Sequence, residues 1–261
     1  MLFKKVICFA TAVMMLSTSV FASHRLPTDS DGWITISKSS GGETKVLTST
    51  APNNQGYGNY GKVVTSYMYV NDDNTFSVVD YSNNVINVDT YNSQTYELLK
   101  SKKITMELPL FGGVYAGSKY NFIVFGQNNT AENDNAITFK TVKYTKDWEK
   151  IETVDYSNNN TIKPFEAGSL RMVEYDNYLY VRSCHQMYQA RDGYNHQANI
   201  TYSVDINKME IADQFSKVMN TDYGYVSHSF DQYIAVDNNK LVALDLGDAY
   251  PRSVVQNIIP Y

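Results

Sequence analysis

Apolar and aromatic residues alternate with polar ones over short stretches along most of the chain. A period of two residues is typical of a β-strand with one buried face. No stretch keeps the 3.6-residue period of a helix, and the nearest candidate, TYELLKSKKITM (95–106), lacks an N-terminal cap. The pattern therefore predicts an all-β chain. Four stretches share one form, an aromatic residue within an apolar run: SYMYV (66–70), NFIVF (121–125), NYLYV (177–181) and QYIAV (232–236).

These four stretches recur at nearly constant intervals, because Tyr67, Phe122, Tyr178 and Tyr233 are 55, 56 and 55 residues apart. Each is followed by two more strand-like segments and most are preceded by a short apolar one, with Asn, Asp and Gly in the turns. A repeated four-stranded antiparallel meander is typical of β-propeller blades, which pack face to face because no blade buries both faces alone. The sequence predicts a β-propeller-like fold with about four blades of about 55 residues. A β-sandwich and an open β-rich array remain alternatives.

The repeat also suggests how the chain is divided. We expect blades at about 51–107, 108–160, 161–218 and 219–261. Residues 23–50 form an N-terminal segment with a possible strand pair that could close the ring by completing the last blade. Four blades is a small number for a propeller, so we favour the front part of a larger propeller over a complete four-bladed ring. Both possibilities stay open.

Residues 1–22 have the pattern of a signal peptide. Lys4 and Lys5 precede an uncharged apolar core, and small residues end the segment at Val20 and Ala22. The apolar run is shorter than the roughly 20 residues of a membrane span. We therefore predict a secreted, extracellular protein, associated with the cell surface if a longer chain carries an anchor. An uncleaved N-terminal anchor is the alternative.

Composition narrows the possible partners. The formal net charge is −5, and removing the predicted signal would take away two lysines, so nucleic acid is a poor partner for this chain. No second long apolar run predicts a membrane span after cleavage. Cys8 would leave with the signal, so Cys184 has no intrachain disulfide partner. The 22 tyrosines favour strands, and they suit stacking against a ligand.

Chemically reactive residues concentrate in SCHQMYQARDGYNHQANI (183–200). We interpret this stretch as the loop between the second and third strands of the third blade. With strands labelled A to D from the axis outwards, B–C and D–A loops lie on one face. Loops and the central pocket on that face are typical places for ligands. Together with the D–A connections and the strand that follows, they give the candidate ligand-binding residues Glu166, His185, Arg191, Asp192, His196, Tyr223, Tyr225 and His228.

Two sharper interpretations of this stretch are weaker. His185, His196 and His228 could hold a divalent ion, with Cys184 adding a thiolate, but neither His-x3-His nor Cys-x2-Cys spacing occurs. We therefore predict no cofactor. Cys184 could be a nucleophile with His185 as its base, but adjacent residues on a strand point to opposite faces. A buried, inert cysteine is the commoner case.

Hydrolase or lyase chemistry would require convergent carboxylates or an acid with a base. The candidates show no pairing by spacing: Glu166, Glu174, Asp192 and Asp248. The stretch LDLGDAYPR (244–252) places Asp245 and Asp248 around Gly247, which suits a turn whose Asp side chains cap backbone N–H groups. A calcium loop is the alternative, although the alternating acidic ligands of such a loop are missing.

Residues 164–252 carry PFEAGSLRMVEYDNYLYVRSCHQMY, DGYNHQANITYSVD, YGYVSHSFDQYI and LDLGDAYPR. This segment resembles a group of exported bacterial repeat proteins of unassigned function, which are β-propeller-like and in some cases carry adhesion-type domains after the repeats. The resemblance implies export and a propeller-like fold, and it supplies no reaction. Members vary at the positions of Cys184 and His185, which argues against an obligatory site there.

Two functions fit these observations. The first is an exported binding or scaffold module whose ligand is an extracellular carbohydrate or protein. The alternative is an exported carbohydrate-active enzyme, a lyase or hydrolase, with a His/Arg/Asp site on the B–C loop face. Bound metal or turnover of a glycan would favour the enzyme, whereas glycan binding without either would favour the binding module.

Overall fold

The computed structural model describes residues 33–39, 42–47, 63–166, 170–214, 226–247 and 253–260. Within these ranges the chain forms eighteen β-strands and no helix, which confirms the prediction of an all-β protein. In this part of the chain no helix is long and apolar enough to cross a membrane. The predicted signal peptide lies outside the described residues.

The first and second sheets are four-stranded antiparallel meanders. The first consists of β3 (Ser66–Val70), β4 (Thr75–Ser82), β5 (Val85–Asn92) and β6 (Leu98–Ile104), in that order. The second consists of β7 (Leu110–Ala116), β8 (Asn121–Gly126), β9 (Phe139–Tyr144) and β10 (Lys150–Tyr156). Tight turns connect several strands. Asn83 and Asn84, between β4 and β5, have φ angles of 50° and 61°, a left-handed conformation that Asn tolerates and a two-residue hairpin requires.

The third sheet has a divided first edge. It consists of β11 (Thr161–Pro164), β12 (Arg171–Tyr175), β13 (Tyr178–Gln189), β14 (Asn195–Asp205) and β15 (Glu210–Gln214). The long strand β13 pairs with β12 along its first half and with β11 along its second half. Its other edge pairs with β14, which in turn pairs with β15.

The fourth sheet combines the two ends of the described chain. Strands β16 (Ser229–Asp237), β17 (Lys240–Gly247) and β18 (Ser253–Pro260) form a meander. An N-terminal hairpin of β1 (Trp33–Ser39) and β2 (Gly42–Leu47) extends it, because β2 pairs antiparallel with β18. This hairpin falls in the segment for which the sequence suggests a closing strand pair.

The sheets pack face to face. Val79, Ile86 and Val88 of the first sheet form one core with residues of the second, including Phe125. A second core joins the second and third sheets, and Tyr180, Leu241 and Ile259 join the third to the fourth. Strand β12 contacts both β7 and β16, so the second, third and fourth sheets meet at their first strands. Four antiparallel sheets arranged in this way form a β-propeller-like fold of about four blades, which confirms the predicted fold class.

The four equally spaced aromatic segments do not hold equivalent places in the sheets. The segments around Phe122 and Tyr178 lie on the second strands of their sheets, as expected. The segments around Tyr67 and Tyr233 lie on β3 and β16, the first strands. The difference in the first sheet arises because Thr75–Ser82 forms a full strand, β4, that the repeat pattern passed over.

Candidate functional site

The stretch at 183–200 is a β-hairpin rather than a loop. Residues through Gln189 belong to β13 and residues from Asn195 belong to β14, so only 190–194 form a turn. Gly193, with a φ of 84°, and a backbone hydrogen bond of 2.9 Å from the Ala190 N–H to the Tyr194 carbonyl close that turn. Because strand residues alternate between faces, neighbouring side chains of this hairpin are separated by the sheet.

The hairpin tip carries three of the predicted residues at the surface. Arg191 and Asp192 are exposed, and the Asp192 carboxylate lies 2.7 Å from His196 Nε2. The backbone N–H of Tyr194 and the imidazole of His196 stabilise the charged form of Asp192 and lower the pKa of its carboxyl. The tip is anchored to the second sheet, since Glu132 accepts a 2.8 Å hydrogen bond from the Gln189 N–H.

His185 and His228 lie in different environments. His185 is fully buried, and its Nδ1 is 2.6 Å from the Thr161 hydroxyl. Burial lowers the pKa of His185 to about 3, so the imidazole is neutral at physiological pH. His228 is exposed just before β16, and its backbone N–H donates to the Gln197 carbonyl at 2.9 Å. Tyr223 and Tyr225 lie outside the described residues.

Cys184 is buried and points to the face of β13 opposite to His185, so the two do not form a nucleophile–base pair. Its thiol donates a hydrogen bond to the backbone carbonyl of Glu166. Burial raises the pKa of the Cys184 thiol, which keeps it protonated and unreactive.

Glu166 lines a pocket of about 490 Å³ to which three sheets contribute. We call it the three-sheet pocket. It lies where β4 ends, β7 begins and β11 ends. The B–C and D–A connections of the first two sheets lie at this end. Its lining is Val63, Thr65 and Tyr81 of the first sheet, Leu110, Phe111 and Asn128 of the second, and Lys163, Pro164, Phe165 and Glu166 of the third.

The backbone that presents Glu166 is held in an unusual conformation. Phe165 has a φ of 61°, a left-handed conformation that is uncommon for a bulky residue. Its N–H donates to the Cys184 carbonyl at 2.9 Å, and its ring packs edge-to-face against Phe139 at 5.5 Å. A Cβ on Gly126 would lie only 2.6 Å from the Phe165 ring, so glycine is needed there to admit the ring. Strained turns that the surroundings hold in place are frequent at binding sites.

The pocket also contains residues to which the sequence pattern does not point. Lys163 and Asn128 place polar groups beside Glu166, and the Tyr81 and Phe111 rings stack with centroids 4.6 Å apart and planes 15° apart. Lys163 and Phe165 flank the Glu166 that the sequence did select, so the KPFE segment was the available signal. Tyr81 and Asn128 come from other sheets, and nothing local in the sequence brings them to Glu166.

The structure therefore distributes the predicted residues over separate places. Asp192 and His196 are joined at the hairpin tip, Glu166 lines the three-sheet pocket, and His185 is in the interior. Among the residues with described positions, no three His, Cys, Asp or Glu side chains lie close enough together to hold a metal ion. The histidine set considered for a divalent ion is not gathered in this part of the chain.

Comparison with known proteins gives only distant similarity in fold. No family model and no curated protein matches the chain. Among solved structures, Synechocystis ACO is 9% identical with a TM-score of 0.36, covering 72% of this chain and 59% of its own. The Dos1 propeller is 10% identical with a TM-score of 0.40, covering 81% and 50%. An α-L-arabinanase from Cellvibrio cellulosa, complexed with arabinohexaose, is 12% identical with a TM-score of 0.40, covering 87% and 86%.

This chain spans less than two thirds of the length of the Synechocystis ACO chain. At these identities and TM-scores the similarities carry no information on function. The strand order and packing of this chain define its class. It is an all-β, β-propeller-like protein with a mixed aromatic and polar pocket at one end of its sheets.

Proposed function

We propose that this chain is exported and acts outside the cell as a carbohydrate-binding module, with the saccharide held in the three-sheet pocket. The observation that carries the proposal is the lining of that pocket, where stacked Tyr81 and Phe111 rings lie beside Asn128, Lys163 and Glu166. Aromatic surface supports the apolar faces of sugar rings, and amide, ammonium and carboxylate groups bind their hydroxyls.

Charge favours a neutral sugar at this pocket. Lys163 and Glu166 contribute one charge of each sign, so the lining has no excess charge that a ligand would have to balance. The volume of about 490 Å³ lies within the range of roughly 300–1,000 Å³ that is usual for small-ligand sites. Export rests on the signal-peptide pattern of residues 1–22.

The test is calorimetric titration of the purified protein with a panel of neutral oligosaccharides. We expect at least one to bind, and we expect Glu166→Gln to weaken it by about tenfold, since a hydrogen bond to a charged group is lost. Asp192→Asn at the hairpin tip is the matched control and should leave the affinity unchanged. Binding that is lost in the control but kept in Glu166→Gln would place the ligand elsewhere.

Chromatography of the same mixtures separates binding from catalysis. Intact oligosaccharide after prolonged incubation is the result expected of a binding module. Shortened or unsaturated products would contradict it and favour the alternative of a carbohydrate-active enzyme. Export is checked separately, by sequencing the N-terminus of protein recovered from the culture medium, where cleavage after Ala22 is expected.

A further inference from the structure

A second pocket, of about 800 Å³, lies between the first and second sheets at the opposite end from the three-sheet pocket. We call it the cleft pocket. The turns β3–β4, β7–β8 and β9–β10 surround it, through Asn71–Asp73, Gly117–Ser118 and Lys146–Trp148. None of the candidate residues selected from the sequence lies in it.

The floor of the cleft pocket is aromatic. Tyr69 on β3 and Trp148 in the β9–β10 turn both line it, and the Trp148 indole N–H donates to the Tyr69 hydroxyl at 2.9 Å. This hydrogen bond satisfies the polar groups of both rings. Trp148 itself is buried, so the half-buried Tyr69 ring is the aromatic surface that a ligand can contact.

One wall of the cleft pocket is a row of small polar side chains on the first sheet. The Asn71 amide donates to the hydroxyls of Thr75, at 2.8 Å, and Ser77, at 3.0 Å. The Ser77 hydroxyl is 3.1 Å from that of Thr90 on β5. The Thr75 hydroxyl in turn donates to the Asp73 carboxylate at 2.5 Å. Three hydroxyls, one amide and this carboxylate form a connected row that can exchange hydrogen bonds with a polyhydroxylated ligand.

Lysines border the cleft pocket, and their partners differ. Lys100 is paired with Asp147 at 3.1 Å, and Lys102 with Glu149, which links β6 to the β9–β10 turn across the outer side of the pocket. Lys146 donates to the Gly117 carbonyl at 2.7 Å and lies 5.9 Å from the centre of the Tyr69 ring. Within the described part of the chain no carboxylate lies within ion-pair distance of Lys146. Lys146 is therefore the one lysine of this pocket without a carboxylate partner in the described residues. Asp72 and Asp73, on the β3–β4 turn, also line the pocket, so its lining carries charges of both signs.

We propose that the cleft pocket binds a saccharide that carries a carboxylate group, with the sugar ring over Tyr69 and the carboxylate on Lys146. The polar row of Asn71, Thr75, Ser77 and Thr90 receives the sugar hydroxyls. The Tyr69 ring, the polar wall and the ammonium group of Lys146, which has no carboxylate partner in the described residues, match the ring, the hydroxyls and the carboxylate of an acidic sugar. The proposal is independent of the three-sheet pocket, which lies at the other end of the sheets.

The experiment is titration of the full chain at low salt with trigalacturonic acid and, separately, with neutral maltotriose. We expect the acidic trimer to bind and Lys146→Gln to weaken it by about tenfold, the loss of one charge-assisted hydrogen bond. Lys163→Gln, in the three-sheet pocket, is the matched control and should leave the affinity for the acidic trimer unchanged. Added salt should weaken its binding in the unmodified chain more than in Lys146→Gln.

Failure of trigalacturonic acid to bind, or equal affinity in Lys146→Gln, overturns the proposal. Loss of binding in Lys163→Gln alone also overturns it, because the acidic sugar would then occupy the three-sheet pocket. Thermal unfolding checks that each variant is folded. Thr90→Val, which removes one wall hydroxyl and keeps Lys146, is a second test. It should also weaken the binding of the acidic trimer.

Discussion

Arg182 on β13 and Asp245 on β17 form an ion pair that is completely buried between the third and fourth sheets. The Arg182 guanidinium also donates to the Thr201 hydroxyl at 2.6 Å, and Asp245 accepts a 2.7 Å hydrogen bond from Ser229. The Gln232 amide in turn donates to Ser229 at 2.8 Å. The third and fourth sheets are thus joined by a polar network beside the small apolar cluster around Leu241, whereas the second and third are joined by a large apolar core.

Asp245→Ala should destabilise the protein by about 3–5 kcal/mol, because it leaves the Arg182 charge buried without its partner. Replacing both residues by apolar ones, as in Arg182→Met with Asp245→Leu, should cost much less, since no charge then remains in the interior. Urea unfolding measures each free energy. Asp147→Ala, which breaks the exposed pair with Lys100, is the control and should cost less than about 1 kcal/mol. Equal losses of stability in Asp245→Ala and Asp147→Ala would contradict this account.

The sequence predicted the fold class well and the position of this ion pair not at all. Alternating apolar residues and Asn-rich turns depend on local chemistry, so the strands and the meander could be inferred. The sequence pattern predicts a turn at Asp245 because Gly247 and Asp248 follow it, yet Asp245 lies inside β17. Its partner is 63 residues away, on another sheet. Pairing of that kind depends on how the sheets pack, which no local pattern records.

The candidate site could be predicted only in part, again because it depends on how the sheets pack. The pattern predicts a loop at 183–200 because this stretch connects two strand-like segments and carries Cys, His, Met and Arg where the other repeats have short or Asn-rich connections. In the structure Asn199 of this stretch accepts a hydrogen bond from the Val226 N–H, and Arg182, directly before the stretch, pairs with Asp245 of the fourth sheet. The sequence points to Glu166, but it does not predict the pocket around Glu166, because residues of three sheets form that pocket.

His185 should make the protein less stable in acid. The pKa of His185 in the folded state, about 3, lies below the ordinary value of 6.5. Between these two values the imidazole is protonated in the unfolded chain and neutral in the folded chain. Its contribution to stability is therefore complete above about pH 6.5 and is lost as the pH falls towards 3. Between pH 6.5 and 4.5 the loss should be about 2–3 kcal/mol, measured by urea unfolding.

Two variants test the role of His185 in that pH dependence. His185→Gln should remove this part of the slope, because glutamine does not titrate. Thr161→Val removes the hydroxyl at Nδ1 but keeps the imidazole buried, so it should lower stability at all pH values and retain the slope. An unchanged slope in His185→Gln would show that other groups cause the acid sensitivity.

The Cys184 thiol should be inert in the folded protein. It is fully buried, it donates to the Glu166 carbonyl, and burial raises its pKa, so very little thiolate exists at neutral pH. With Cys8 replaced by Ser, a water-soluble maleimide should label the native protein only at the rate of unfolding, and rapidly in urea. Fast labelling of the native protein would contradict the buried position and reopen a nucleophilic role.

Gly112→Ala should weaken both the fold and the three-sheet pocket. A Cβ on Gly112 would collide with the Phe165 ring and lie 2.9 Å from the Val124 carbonyl oxygen, which belongs to the backbone and cannot move aside easily. We expect a loss of about 1–3 kcal/mol in the free energy of unfolding, as for other overpacked interiors. Displacement of Phe165 would also move the adjacent Glu166, so affinity for a neutral saccharide should fall.

Gly193→Ala is a comparison at a glycine with open space around it, where the cost in stability comes only from the φ of 84°. That variant should lower stability without changing saccharide affinity, and a Gly112→Ala protein with normal affinity would show that the turn at Phe165 does not position Glu166.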